Sequence, residues 1–192
     1  MSLPSNIVPV PLPKAHRLLN HGPTVLVSSA HGGRRNVMAA AWNMTLDFEP
    51  PKIAVVIDRS TYTRELLEAS GEFVIGLPSR AMAATVVKVG STTGHDGDKF
   101  AELGLESYPA AKVAAPLVAG CVAWLECRLI PEPHIQQRYD LFLGEVIAAW
   151  AEAEVFPDSH WQFPSPAQRT IHHVAGGHFF VTGEAFEVPG RS

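Results

Sequence analysis

Val118-Ala119-Gly120-Cys121-Val122-Ala123-Trp124-Leu125-Glu126-Cys127-Arg128-Leu129-Ile130 decides the fold class. Side chains alternate across a strand, so Cys121, Ala123, Leu125, Cys127 and Leu129 fall on one face and Trp124, Glu126 and Arg128 on the other. The first face reads as core. Pro131 to Arg138 makes a connection, and Tyr139 to Trp150 alternates in the same way, so an antiparallel pair is the simplest arrangement. Upstream, Thr24 to Ser29, a stretch starting near Val37, Lys52 to Asp58 and Glu72 to Leu77 read as further strands, with His31 to Asn36 as a glycine-bearing loop. Helical patterns cover Lys14 to Asn20, Ala81 to Val89, and Tyr62 to Ser70 with Ser60 or Thr61 as N-cap and Gly71 as the stop. Strands outnumber helices and do not alternate regularly with them. That order favours a mostly β protein, an antiparallel barrel with helical insertions, over a doubly wound sheet.

The chain's 192 residues suit one domain, since a typical domain takes ~150. Residues 1–13, with four prolines, read as an extended arm, 14–155 as the domain, and 156–192 as a tail lying across the body or a partner subunit. Charged residues are only 18% of the chain against 46% apolar, and this thin charge points to surface covered by a second copy, hence a homodimer or other homo-oligomer. A net charge of −4 offers no field to gather nucleic acid or an anionic membrane. Val113 to Leu125, the longest apolar stretch, is broken by Pro116 and falls short of the ~20 residues of a spanning helix. No secretory pattern opens the sequence, which makes the cytoplasm the expected compartment. Cys121 and Cys127 would stand ~20 Å apart along a strand and read as buried thiols.

Several common chemistries leave no trace. There is no Gly-x-Gly-x-x-Gly turn, no Gly-x-x-x-x-Gly-Lys loop and no Gly-x-Ser-x-Gly elbow. Nine histidines invite a metal reading, but none forms His-Glu-x-x-His, and His172 and His173 would point to opposite sides of a strand, so surface or interface imidazoles are the simpler account.

Asn36-Val37-Met38-Ala39-Ala40-Ala41-Trp42-Asn43-Met44-Thr45 is unusual, because small residues and amides sit within an apolar strand. A planar aromatic ligand can lie against such a strand, with main-chain groups on its polar edge and Met38, Trp42 and Met44 in apolar contact. The alternative is a core strand whose alanines pack on a helix. Arg59, Ser60, Thr61 and Thr63 lie where a strand enters a helix, a setting that suits a phosphate and equally an ordinary helix cap. Asp47 and Glu49 bring acid close by, unless they pair with Arg34, Arg35 or Arg59.

Gly22 to Ser28, Asn36 to Trp42, Pro50-Pro51, Thr61 with Thr63, Gly71 to Ile75, Gly94 to Phe100 and Leu143 to Val146 together resemble, in order, the flavin reductase-like family of FMN-binding split barrels. The resemblance implies a homodimer of Greek-key barrels with FMN, rather than FAD, near the subunit interface. It maps flavin contacts onto Asn36, Met38, Ala39, Ala40, Ala41, Trp42, Asn43, Met44 and Thr45. Arg59, Ser60, Thr61 and Thr63 would meet the phosphate, and Gly94 and Lys99 would lie near the flavin and the acceptor site. His178 is a candidate contact from the tail. The implied activity is electron transfer from NAD(P)H through flavin to a second flavin, a metal complex or a partner oxygenase. A non-catalytic FMN-binding module or a structural or metal-binding barrel are the alternatives.

Overall fold

A computed structural model describes residues 3–189; residues 1–2 of the arm and 190–192 of the tail lie outside the described residues. The strands are β1 (Ile7–Pro9), β2 (Val25–His31), β3 (Arg34–Ala40), β4 (Asn43–Phe48), β5 (Pro51–Val56), β6 (Glu72–Pro78), β7 (Ser107–Tyr108), β8 (Leu117–Val118), β9 (Cys121–Ile130), β10 (Leu141–Glu152), β11 (Ile171–Ala175) and β12 (His178–Val181). The α-helices are α1 (Leu12–Ala15), α2 (Tyr62–Ser70), α3 (Ala83–Ser91), α4 (Lys99–Glu102) and α5 (Pro133–Tyr139).

One antiparallel sheet runs in the order β3-β2-β6-β9-β10-β5-β4, and β1 adds to the far end of β10. β3 and β4 terminate this order, yet only Ala41 and Trp42 separate them in the chain. In a flat sheet they would stand roughly 29 Å apart at ~4.8 Å per strand. Three peptide units reach at most about 11 Å. The sheet is therefore rolled until its two edges meet, and Asn43 Nδ2 donates to Pro23 O at 2.9 Å across the join. The expected continuous strand from Asn36 to Thr45 is thus two strands around a corner. Its apolar run gives no sign of the break, because both halves are strand.

Val27, Ile53, Phe73, Ile75, Leu125 and Phe142 fill the barrel interior, each at most 1% exposed. A second cluster around Leu26, Val74, Phe100 and Trp124 packs the outer face of β2, β6 and β9 beneath α3, α4 and the β7–β8 ribbon. β9 is consequently buried on both faces, not on one as its alternation suggested. Glu126 is fully buried on the outer face, where its carboxylate accepts from Ala111 N, Lys112 N and Trp150 Nε1 at 2.6–3.0 Å. A register shift opposite Leu77 and Pro78 moves Cys121 out of the interior face, while Ala123, Leu125 and Cys127 keep it. Both thiols are buried and free, with burial pushing their pKa values well up.

The β2–β3 loop is tighter than expected. His31 pairs with Arg34, so Gly32 and Gly33 alone make the turn, at φ +58° and +78°, and Arg34, Arg35 and Asn36 belong to β3. α5 occupies the segment read as a plain connection, and the arm is ordered as β1 and α1. The tail closes on the body. Thr24 N donates to Ile171 O at 2.8 Å and Thr24 Oγ1 accepts from His173 N at 2.8 Å, seating the β11–β12 hairpin at the start of β2. Among the described residues no helix is long and apolar enough to cross a membrane.

Candidate functional site

Two cavities meet where α3 passes over β3. Ala39, Gly90 and Ser91 line both. A Cβ on Gly90 would stand 3.5 Å from the Ala39 methyl, so the helix backbone lies close to the strand's smallest side chains and leaves open volume to either side.

The first cavity, about 270 Å³, is polar. β3 supplies Asn36 and Met38, the entry to α2 supplies Ser60, Thr61 and Tyr62, and the loop between α3 and α4 supplies Thr93 and Gly94. Lys99 reaches it from the first turn of α4. Its side chain is 3% exposed, and Nζ donates to Val37 O at 3.1 Å and Val89 O at 2.9 Å. An ammonium has three protons, so one donor is left over. No carboxylate lies within ion-pair distance of it among the described residues. Burial pulls the Lys99 pKa below its ordinary value, the signature of a charge held without a counterion.

Other groups in the same cavity are also short of partners. Asn36 is 2% exposed; its Nδ2 donates to Thr63 Oγ1 at 2.9 Å, while its Oδ1 is buried with none. Tyr62 Oη is buried and unpartnered as well. Thr61 stands at the N-cap of α2 but turns its hydroxyl to Asp58 O, so no side chain caps the first amides of the helix. Gly94 packs directly on the Asn36 amide, since a Cβ there would come within 2.2 Å of Oδ1. The spare ammonium proton and the open helix amides make a donor-rich rim that suits an anion, with the unpartnered Asn36 and Tyr62 oxygens buried beside it.

The second cavity, about 420 Å³, has no Lys, Arg, Asp or Glu in its lining among the described residues. Ala39, Ala40 and Ala41 form its floor, Val86 and Val87 of α3 one wall, and His173 and Phe179 of the terminal hairpin another.

The remaining sequence candidates are placed as follows. Thr63 is buried beneath the polar cavity, bonded to Asn36. Arg59 turns away to α5, with Nη2 3.3 Å from Asp140 and donating to Gln137 O, and does not line the cavity. Trp42, Asn43, Met44 and Thr45 lie beyond the corner and line neither cavity. Asn43 and Thr45 turn inward, the latter bonding His16 O, while Trp42 and Met44 are 75% and 55% exposed. His178 is exposed on β12 and also lines neither. The acids near the site pair differently from the expectation: Asp47 binds Lys52, Arg35 binds Asp98, and Arg34 stacks over the Tyr62 ring at 4.6 Å.

Tyr62, Thr93, Val86, Val87, Gly90, His173 and Phe179 belong to the cavities without having been singled out. Gly90 ending an apolar helical run was a usable sign of close approach. Nothing local marks the hairpin pair, because their place depends on a contact with Thr24 about 150 positions earlier.

Residues 17–164 match the family model for the flavin reductase like domain. The chain is 45% identical over 183 residues to the YddH protein of Escherichia coli K12, an alignment covering 94% of this chain and 97% of that one. Among solved structures, an FMN-binding domain of a flavin reductases-like enzyme from Shewanella baltica superposes with a TM-score of 0.93 at 50% identity, over 97% of this chain and 99% of that one. Flavoredoxin of Desulfovibrio vulgaris superposes at 0.76 with 28% identity, over 88% and 90%. The rolled antiparallel sheet, the two cavities against β3 and these likenesses agree: the chain belongs to the flavin reductase-like family of FMN-binding split barrels.

Proposed function

We propose that this chain binds FMN and moves reducing equivalents from NAD(P)H to a second acceptor: a free flavin, a metal complex or a partner oxygenase. The observation that carries the reading is Lys99, a buried ammonium with a spare donor and no carboxylate, opening on a cavity rimmed by hydroxyls. Lys99, Thr93 and the first amides of α2 would hold the phosphate, with Ser60 and Thr61 able to join by turning their hydroxyls from Asp58. Asn36 Oδ1, now covered by Gly94, would accept from a ribityl hydroxyl once that loop shifts off it. Ala39, Ala40 and Ala41 would leave a flat floor for the ring, with the charge-free lining keeping water and ions away from it. When bound, FMN supplies a carrier that accepts two electrons and releases them singly or together. The chain's own contribution is to bind, orient and desolvate.

The same reading includes a homodimer. β4 wears its polarity inside out: Asn43, Thr45 and Asp47 are half-buried while Met44, Leu46 and Phe48 are exposed, continuing from exposed Trp42. An apolar row at a sheet edge, beside the Ala41 corner, suits a second copy better than water. Met44→Glu with Phe48→Glu is expected to give monomers in analytical ultracentrifugation with the circular dichroism spectrum unchanged; a persisting dimer would remove β4 from the interface.

The protein purified with its chromophore, or reconstituted with FMN, should absorb near ~450 nm and bleach on adding NADH or NADPH without oxygen. Colour without bleaching would support the second reading, a passive FMN carrier. No colour and no quenching of added FMN would overturn both.

A further inference from the structure

We infer that the β11–β12 hairpin is the ligand-selecting wall of the apolar cavity, and that His173 and Phe179 recognise a flat, uncharged ring carrying an N–H or O–H donor. The inference rests on the flavin reading for what that ring would be, but the wall is argued from the chain alone.

The hairpin lies outside the stretch that matches the family, which ends at residue 164, yet it supplies His173, Gly176 and Phe179 to the cavity. The protein from Shewanella baltica covers the hairpin's length as well, at 97% of this chain. Its base is fixed at several points. Thr170 bridges Ser79, Ile171 is buried and bonded to Thr24, and His172 Nδ1 bonds Gly22 O at 2.9 Å while its Nε2 meets Thr182 Oγ1 at 3.0 Å. His21 Nε2 adds a 2.8 Å bond to Thr170 Oγ1. The far half, His173 to Phe179, is held to the body by the bond from His173 N to Thr24 Oγ1 and by the packing of Phe179 on the second buried cluster, and it is the half that faces the cavity.

Two features of that half define the ligand. His173 Nε2 stands 2.9 Å from Gly176 O, and a carbonyl can only accept, so Nε2 carries the proton and the neutral ring keeps Nδ1 as an acceptor. Phe179 meets the His173 ring edge-on, with centroids 5.2 Å apart at 62°, so the two form one aromatic corner. Opposite them lie Ala39, Ala40 and Ala41, whose small side chains leave room for a flat ring. With no charged residue in the lining, an ionised ligand would lose its hydration without compensation. The corner therefore selects a neutral aromatic with one donor at its edge.

Lumichrome tests this separately from the phosphate cradle, because it is a neutral tricycle with an N–H edge and no ribityl phosphate. Binding to the apoprotein is read by fluorescence, alongside anthraquinone, which has no donor, and anthraquinone-2-sulfonate, which is charged. Phe179→Ala should weaken lumichrome and anthraquinone about tenfold each. His173→Ala should weaken lumichrome about fivefold and leave anthraquinone within twofold, with His173→Asn recovering part of the loss. The sulfonate should bind wild-type protein at least tenfold more weakly than its parent. Lumichrome affinity within twofold of wild type in both hairpin variants, with unchanged melting temperature, would overturn the inference. If FMN fails to displace lumichrome while the variants still weaken it, the wall stands and the flavin reading falls.

Discussion

The two cavities share a strand and a helix but are built from different parts of the chain. The polar cavity draws on residues 36–99, all inside the family-matched stretch, with buried Asn36, Tyr62 and Lys99 at its base and exposed hydroxyls at its rim. The apolar cavity borrows one wall from residues past 164, docked on the barrel through Thr24 and Ser79. On the proposed reading the phosphate grip is made from the family-matched domain, whereas one wall around the ring is made from an appendage.

Ala39 belongs to both cavities and gives the sharpest way to break the distinction. Ala39→Phe puts a ring into the junction, and FMN and riboflavin affinities are both expected to fall about a hundredfold, measured by fluorescence quenching. Loss of FMN binding alone would mean that the apolar cavity takes no part in holding the flavin.

The appendage is tied to the barrel partly through His21. Burial, and then neighbouring His172, lower its pKa to about 4 from 6.5. The unfolded chain binds a proton here before the folded chain does, so the stabilisation is complete above about pH 6.5 and is lost as the pH falls towards 4. A full shift of that size, discounted for the ring's partial exposure, is worth about 2 kcal/mol. His21→Gln should flatten that part of the stability profile in denaturant titrations between pH 7.5 and 4. The variant should also weaken lumichrome more than inorganic phosphate. An unchanged slope would mean that the hairpin is held without this imidazole.

Gly94→Ala affects only the polar side. The new methyl must displace the Asn36 amide, and FMN affinity should fall about tenfold while lumichrome binding stays within twofold. Equal losses for both ligands would show that the cavities act as one.

What could be read in advance follows the same division between local and long-range causes. α2 and its stop at Gly71 are marked by neighbours in sequence, and their limits, Tyr62–Ser70, came out as expected. Strand pairing of β9 with β10 followed from alternation alone. α5 did not, because Pro133 to Tyr139 has no apolar face of its own and is held by Arg64, which donates to Gln136 O and pairs with Asp140 at 2.6 Å. The corner after Ala40 was hidden by small residues that suit strand and turn alike. In the candidate site, Asn36 is marked by an amide within an apolar strand, Ser60 and Thr61 by the strand-to-helix junction, and Gly94 and Lys99 by the family resemblance, and the structure brings them together. Trp42, Met44 and Arg59 were chosen for chemistry the ligand could use. Their surroundings depend on the rolled sheet and on α5, which no local pattern announces.

Lys99→Met tests the central claim most directly. Methionine keeps most of the buried volume without the charge but leaves Val37 O and Val89 O without this donor, so the melting temperature should fall by a few degrees while the fold persists. FMN affinity should fall about thirtyfold as a charge-assisted contact to the phosphate is lost, with riboflavin, which has no phosphate, held within threefold. An FMN affinity equal to wild type, or a parallel loss for riboflavin, would contradict the assignment of Lys99 and its cavity to the phosphate.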